Sequence, residues 1–145
     1  PLRENRDRAR LRSGVRKRDI DAICGNHAPH DADAKAAPFS LSAHGVSTFD
    51  TFLPALLSLV ESGAFDLSTA VAAVSQAPSE ILGLDSGTLA PGARADICVF
   101  DPALEWTATP DALLSAGKNT PFLLQRLRGK VTMALVDGRV VYNAN

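Results

Sequence analysis

The 145 residues are 46% hydrophobic and 21% charged with a formal net charge of −1, a composition typical of one globular domain. The longest apolar run, at residues 52–60, is far shorter than the ~20 residues of a membrane-spanning helix, which excludes a membrane span. The two cysteines match neither a disulfide framework nor a zinc ribbon. We therefore expect Cys24 and Cys98 to be reduced, buried thiols of a cytoplasmic protein.

The charge is unevenly distributed along the chain. Residues 1–18 hold eight basic side chains against two acidic ones, a net +6, whereas residues 19–145 hold seven against fourteen, a net −7. A basic segment of this kind occurs in proteins that bind nucleic acid or an acidic partner. No aromatic side chains alternate with these arginines and no nucleic-acid motif accompanies them. This favours a solvated helix face and argues against nucleic acid as a partner.

The first third of the chain reads as helix, strand and loop. The polar residues 4–17, with Leu11 and Val15 four apart, predict a short surface helix with one apolar stripe. The apolar residues 20–25 predict a short strand buried on both faces, as in a parallel sheet. Residues 26–47, which contain two prolines and a glycine, predict a long ordered loop.

Three helices are predicted next. The 3.6-residue period of the apolar side chains over residues 48–62 predicts a helix that begins either there or at Pro54. Ser68 is the expected N-cap of a second helix over residues 70–76. A third short helix, which follows a proline, is predicted over residues 79–84.

From residue 87 the pattern changes to β structure. Residues 95–100 predict a short strand, and residues 101–120 predict a loop with one helical turn. The apolar segments 131–136 and 139–142 flank an Asp-Gly dipeptide, which is typical of a two-residue hairpin turn. No internal repeat is visible.

Two imidazoles stand directly after the predicted strand of residues 20–25, since residues 26–30 read Asn-His-Ala-Pro-His. In (β/α)₈ barrels the active groups lie at the carboxyl ends of strands, on the following loops. The order of elements therefore predicts an α/β fold with a boundary near residue 88. Residues 1–88 would form the last βα unit of a (β/α)₈ barrel, and residues 89–145 part of a small β-sandwich domain.

Several segments of the chain together match one family pattern. They are Pro1-Leu2-Arg3, Asp7-Arg8, residues 20–30, Lys35 with Pro38-Phe39, Gly87-Thr88-Leu89, residues 118–122 and residues 129–131. With them the chain resembles dihydroorotase, a cyclic-amide hydrolase of the amidohydrolase superfamily, over almost its whole length. The resemblance implies a metal-dependent-hydrolase barrel, zinc as the family's cofactor, and de novo pyrimidine biosynthesis as the setting. It also implies that the chain is the C-terminal portion of a longer protein.

The family pattern at the strand end is Asp-His-Ala-Pro-His, whereas this chain has Asn26 in the leading position. The resemblance implies that the family's carboxylate there both contacts the metal and carries the proton of the attacking water. Asn26 thus occupies the catalytic position and a metal-ligand position. A carboxamide exchanges no proton near neutral pH, and general acid–base catalysis contributes about 10²–10⁴-fold. We therefore expect a catalytically defective protein.

The resemblance also assigns substrate-binding positions. It places His30 where the family binds the substrate carboxylate, and His44 with Gly45 where loop backbone contacts the dihydroorotate ring. From the residues alone, a loop histidine bonded to backbone is an equally good interpretation of His30, and a packing role is favoured for His27. Lys35 is interpreted as solvated. The three histidines of the chain do not by themselves predict a zinc centre, which needs about three protein ligands.

Three functional hypotheses stay open. The first, which we favour, is a non-catalytic dihydroorotase-like protein that serves as a structural partner of aspartate carbamoyltransferase through its basic helix. The second is an active zinc dihydroorotase that hydrolyses the cyclic amide of dihydroorotate to N-carbamoyl-aspartate. The third is a fragment without a function of its own.

Overall fold

The computed structural model describes residues 4–144, so the Pro1-Leu2-Arg3 segment lies outside the described residues. The described residues form five α-helices followed by three strands, which agrees with the predicted α/β class. They are α1 Asn5–Lys17, α2 Ala32–Ala36, α3 Phe49–Glu61, α4 Leu67–Val74, α5 Gln76–Leu82, β1 Ile97–Thr107, β2 Arg126–Val136 and β3 Arg139–Asn143. None of the described helices has the length and apolar character to cross a membrane.

The chain divides into two compact units. The first unit contains the described residues up to Cys24, Leu56–Phe100, and the described residues from Val131 onward. The second unit contains Gly25–Ala55 and Asp101–Lys130. The domain boundary that the sequence suggests near residue 88 stays a prediction.

The first unit has a core of five buried side chains: Val15, Leu56, Phe65, Ala70 and Ala73. Helix α1 confirms the predicted surface helix, although only part of its apolar stripe is buried. Val15 is 7% exposed, whereas Leu11 is 56% exposed. Gly14 lies against Ile20, where a Cβ atom would approach the Ile20 side chain to 2.9 Å.

The predicted strand at residues 20–25 is not formed. Ile23 donates its N–H to the carbonyl of Ala73 at 2.9 Å, and the only parallel bridge nearby within the described residues joins His27 to Val46. A strand buried on both faces needs ladder partners and covering layers. Residues 4–144 provide a single isolated bridge.

The prediction of buried thiols was wrong, since Cys24 and Cys98 are both exposed and neither forms a disulfide with a described residue. Cys98 lies in β1, where exposed residues outnumber half-buried ones. Desolvation by the surrounding protein still raises the pKa of the Cys98 thiol. The protonated thiol is therefore favoured at neutral pH.

Helix α3 begins at Phe49, one residue after the first of its two predicted starts, so Pro54 lies inside the helix. The starts of the next two helices differ from the predicted ones. Helix α4 is capped by Asp66, not by Ser68, because the Asp66 carboxylate accepts the N–H of Thr69 at 2.7 Å. This hydrogen bond lowers the pKa of Asp66 below its ordinary value. Helix α5 begins before its proline, which a first helical turn tolerates because its N–H groups have no partner within the helix.

The three strands form one sheet in the order β1-β2-β3. Strands β2 and β3 are antiparallel with Val136 opposite Arg139, and the intervening Asp137 and Gly138 have φ values of 51° and 74°. Positive φ at both turn residues is what a type I′ hairpin turn requires, and the predicted hairpin is confirmed.

Strand β1 runs to Thr107, through residues that were predicted as a loop and that include Pro102. A proline lacks an N–H donor and is tolerated at a sheet edge, which is the place of β1. The predicted helical turn is present as a 3₁₀ turn at Pro110–Ala112.

Candidate functional site

The second unit brings together three loops, at residues 26–30, 43–47 and 114–120. Ala28 donates its N–H to the carbonyl of Val46 at 2.9 Å, and Ser47 donates its N–H to the carbonyl of Asn119 at 3.2 Å. These loops contain Asn26, His30, His44 and Gly45, the four positions that the resemblance assigns to catalysis, metal binding and substrate binding.

Asn26 is exposed and has a left-handed backbone, with φ of 45°. Among residues with a side chain, asparagine and aspartate adopt this region most readily, because their short polar groups can bond locally. An asparagine and the aspartate that the resemblance implies at this position therefore suit the same backbone. The two side chains differ in proton exchange, because a carboxylate can take up and release a proton and a carboxamide does not near neutral pH.

His27 caps helix α3. Its Nδ1 atom accepts the N–H groups of Thr48 at 3.0 Å and Phe49 at 3.2 Å, and its ring stacks on the Phe49 ring with centroids 3.9 Å apart. These N–H groups belong to the helix start, where donors lack partners within the helix. The arrangement agrees with the interpretation of His27 as a packing residue and engages Nδ1, so this atom is not presented to a metal.

Ser115 lies beside the same imidazole, with its Oγ 3.4 Å from His27 Nε2 and 3.1 Å from Ser47 Oγ. Because Nδ1 accepts two N–H groups, the neutral ring carries its proton on Nε2. An Nε2 atom that holds a proton cannot take one from Ser115. This contact therefore does not form an activated serine nucleophile.

The cap predicts unequal effects of two substitutions at His27. His27→Asn keeps an acceptor near the Nδ1 position, whereas His27→Gln keeps a donor near the Nε2 position. Loss of a helix cap costs about 0.5–2 kcal/mol, so His27→Gln is expected to lower the free energy of unfolding by that amount and His27→Asn by clearly less. Urea unfolding of both variants checks the order; equal losses would contradict the capping role.

His30 is held through both its backbone and its ring. Its N–H donates to Asn119 Oδ1 at 2.8 Å, and its Nε2 lies 2.9 Å from the carbonyl oxygen of His44. A carbonyl only accepts, so Nε2 carries a proton and the neutral ring has a lone pair at Nδ1. Only the protonated ring offers a second donor, at Nδ1, to an anion.

Lys35 is not simply solvated, which corrects the sequence interpretation. Its Nζ donates to the carbonyl oxygens of Ala43 and Gly45, the latter at 2.7 Å. Gly45 itself has φ of +98°, and a Cβ atom there would lie 2.5 Å from the Cβ of Ala28. The exposed His44 is thus part of a loop whose neighbouring carbonyls are fixed by internal donors.

Two residues of the site were given no role by the sequence reasoning. Asp50 accepts the N–H groups of Leu114 at 2.8 Å and Ser115 at 3.1 Å, which ties the third loop to the start of α3. Asn119 contacts both other loops, at His30 and Ala28 in one and at Gly45 in the other. Each residue has a feature in the sequence that could have identified it. Asp50 is an acidic residue in the first turn of α3, and Asn119 lies in the segment of residues 118–122, which resembles dihydroorotase.

The described residues do not by themselves form a zinc centre. Within residues 4–144 no group of three or more histidine, cysteine, aspartate or glutamate side chains could hold a metal ion. Nδ1 of His27 accepts backbone N–H groups and Nε2 of His30 faces a carbonyl oxygen, so neither of these two ring nitrogens is presented to a metal. A catalytic zinc needs about three protein ligands.

Comparisons with known proteins identify the class. The model of the amidohydrolase family matches residues 32–142, and the chain therefore belongs to the amidohydrolase family. It is 45% identical over 98% of its length to a dihydroorotase of Pelobacter propionicus, of which it covers 34%. It is 42% identical over 99% of its length to a dihydroorotase of Geobacter sp. (strain M21), of which it also covers 34%.

The chain spans about a third of the length of these curated relatives and matches their C-terminal portion. Among solved structures, it is similar to the L-hydantoinase (dihydropyrimidinase) from Arthrobacter aurescens, with a TM-score of 0.87 and 24% identity over 99% of this chain and 33% of that chain. A D-hydantoinase structure gives a TM-score of 0.86 at 21% identity, over 99% and 33% of the respective chains. At these identities the likeness concerns the fold.

Proposed function

We propose that this chain is the C-terminal, substrate-binding part of a dihydroorotase-like protein of de novo pyrimidine biosynthesis in the cytoplasm, and that the protein is catalytically defective. One observation carries the proposal: the loops with Asn26, His30, His44 and Gly45 lie together in one compact unit. Identities of 42–45% to dihydroorotases support the substrate class.

In this proposal the described residues up to 88 form the last βα unit of a (β/α)₈ barrel. Strands β1 to β3 form part of a β-sandwich whose other strands lie elsewhere in the protein. The likeness to hydantoinase structures over 99% of the chain supports this architecture. The family's zinc would take most of its ligands from outside residues 4–144, because these residues contain no group of three candidate ligands.

The defect would lie in proton transfer. Ring opening of a cyclic amide needs a group that takes a proton from water and gives one to the leaving nitrogen, and the amide of Asn26 titrates in neither direction near neutral pH. Ligand binding does not need this group. We therefore expect the protein to bind dihydroorotate or N-carbamoyl-aspartate and to convert them slowly.

The binding role would fall to His30. Its protonated ring keeps Nε2–H on the His44 carbonyl and offers Nδ1–H to a substrate carboxylate, a charge-assisted hydrogen bond. His30→Gln retains a donor near Nε2 and removes the one at Nδ1. Hydrogen bonds to charged groups contribute about 1.5–3 kcal/mol, so the dissociation constant of dihydroorotate is expected to rise about 10–100-fold.

Isothermal titration of dihydroorotate into the full-length protein tests this expectation. Gln125→Glu, at an exposed residue of the same unit whose amide bonds the Pro121 carbonyl, is a suitable control and should bind like the unmodified protein. Unchanged affinity in His30→Gln would remove His30 from the proposed site. Absence of binding by the unmodified protein would contradict the proposed function.

A structural role toward aspartate carbamoyltransferase is the second part of the proposal. Helix α1 exposes Arg6, Arg8, Arg10 and Arg16, and the ion pairs of the described residues involve none of them. These cations are therefore available to an acidic surface. Co-elution of the two full-length proteins at micromolar concentration, weakened by salt and by Arg6→Glu with Arg10→Glu but not by Arg139→Glu, is the expected result. Independent elution would contradict it.

The identity of 45% to a curated dihydroorotase favours a second candidate function. This candidate is an active zinc dihydroorotase in which another group carries the proton. The two candidates differ in the effect of Asn26→Asp on the rate of ring opening. This change should raise the rate of a defective protein and should not improve the rate of an active enzyme.

A further inference from the structure

Asn119 connects the two loops that hold the proposed substrate-binding residues. Its Oδ1 accepts the N–H of His30 at 2.8 Å, and its Nδ2 donates to the carbonyl oxygen of Ala28 at 3.0 Å and to that of Gly45 at 3.4 Å. Its own carbonyl accepts the N–H of Ser47 at 3.2 Å. One residue thus bonds the loop of residues 26–30 and the loop of residues 43–47 at four points.

The side chain at this position needs both an acceptor and two donors in one plane. An asparagine amide supplies all three. An aspartate has the same shape but no donor, so its oxygens would face the carbonyl oxygens of Ala28 and Gly45. A serine is too short to reach two loops, and a glutamine places the amide one methylene further out.

The neighbours of Asn119 hold its backbone in place. Thr120 is 8% exposed, and its Oγ1 lies 3.4 Å from Thr51 Oγ1. Lys118 Nζ donates to the carbonyl oxygen of Leu113 at 2.6 Å. The buried Gly117 lies against Pro29 and the His30 nitrogen, where a Cβ atom would meet them at 2.6–2.8 Å. The amide is therefore presented from a fixed segment.

We propose that Asn119 is a positioning residue that sets the distance between the His30 ring and the backbone at Gly45. It thereby selects cyclic amides that carry a carboxylate over uncharged ones. The reason is that the two loops would contact different parts of one ligand, with His30 at the carboxylate and residues 44–45 at the ring. This selection rests on the proposed function, whereas the bonding of the two loops by Asn119 does not.

The test compares Asn119→Asp with Gln125→Glu in the full-length protein. Both changes replace an amide by a carboxylate within the second unit, and the side-chain amide of Gln125 donates to the Pro121 carbonyl at 3.0 Å. Two measurements are made: the dissociation constants of dihydroorotate and of uncharged dihydrouracil, and the hydrogen–deuterium exchange rate of the His30 amide. Thermal unfolding of each variant reports its stability.

In Asn119→Asp we expect the preference for dihydroorotate over dihydrouracil to fall about tenfold or more, and the His30 amide to exchange faster. Gln125→Glu should match the unmodified protein in both measurements. An unchanged preference, or an unchanged exchange rate at His30, would overturn the proposal. Should Asn119→Asp fail to fold, Asn119→Ala against Gln125→Ala gives the same comparison.

Failure of the proposed function is distinguishable from failure of this inference. If the unmodified protein binds neither compound, the substrate assignment is wrong, and so is the proposed preference for cyclic amides that carry a carboxylate. The exchange rate at His30 then still decides whether Asn119 holds the two loops together.

Discussion

Replacement of Asn26 by aspartate is expected to raise the rate of dihydroorotate ring opening by the full-length protein by about 10²–10⁴-fold, the usual contribution of a general acid–base group. The backbone does not oppose the change, since φ of 45° at residue 26 suits aspartate as well as asparagine. Affinity for dihydroorotate should change much less than the rate, because the proposed binding contacts come from other residues.

Loss of dihydroorotate, followed at several substrate concentrations with zinc supplied, measures this effect. Asn5→Asp makes the same change of charge on the exposed face of α1 and should leave the rate unaltered. Rapid turnover by the unmodified protein that Asn26→Asp does not improve would show an active enzyme with another proton carrier. An inactive Asn26→Asp variant that still binds zinc and dihydroorotate would show that the defect is not limited to this residue.

Replacement of Gly117 by alanine is expected to destabilise the protein by about 1–3 kcal/mol, the usual cost of overpacking, and to weaken dihydroorotate binding at least tenfold. The added Cβ would lie 2.6 Å from the His30 nitrogen, 2.7 Å from Pro29 Cβ and 2.8 Å from Pro29 Cα. Two of these are backbone atoms, so the contact is relieved only by a shift of the loop that carries His30. Urea unfolding and isothermal titration measure the two effects.

Gly92→Ala separates the loss of stability from the loss of binding. Gly92 has φ of +87° and open space around the position of a Cβ atom. An alanine there is strained by about 1–2 kcal/mol but touches nothing. It should lose comparable stability and keep its affinity for dihydroorotate. Equal affinity in Gly117→Ala would contradict the proposed place of His30 in the site.

Features that depend on neighbouring residues could be predicted from the sequence. The apolar period over residues 48–62 predicted α3, and the Asp-Gly dipeptide predicted the hairpin between β2 and β3, because helix and turn geometry act over a few residues. The family also followed from short segments, and with it the prediction that Asn26 replaces a catalytic aspartate. These conclusions needed no knowledge of distant contacts.

Features that depend on distant residues could not be predicted in this way. The strand expected at residues 20–25 and the burial of Cys24 require covering layers that the described chain does not provide. Whether Asp66 or Ser68 caps α4 depends on where the first turn closes, a shift of two residues that propensity does not resolve.

The sequence by itself determined the family of this protein, because the family is carried by the identity of residues in local patterns. The same patterns predict that Asn26 replaces a catalytic carboxylate. Only the tertiary structure decided which groups His27, His30 and Asn119 contact. The bond from His30 to Asn119 joins residues 89 positions apart, and the contact of His27 with Ser115 spans 88. Donors and acceptors at such separations meet only after the chain has folded, so no local pattern specifies them.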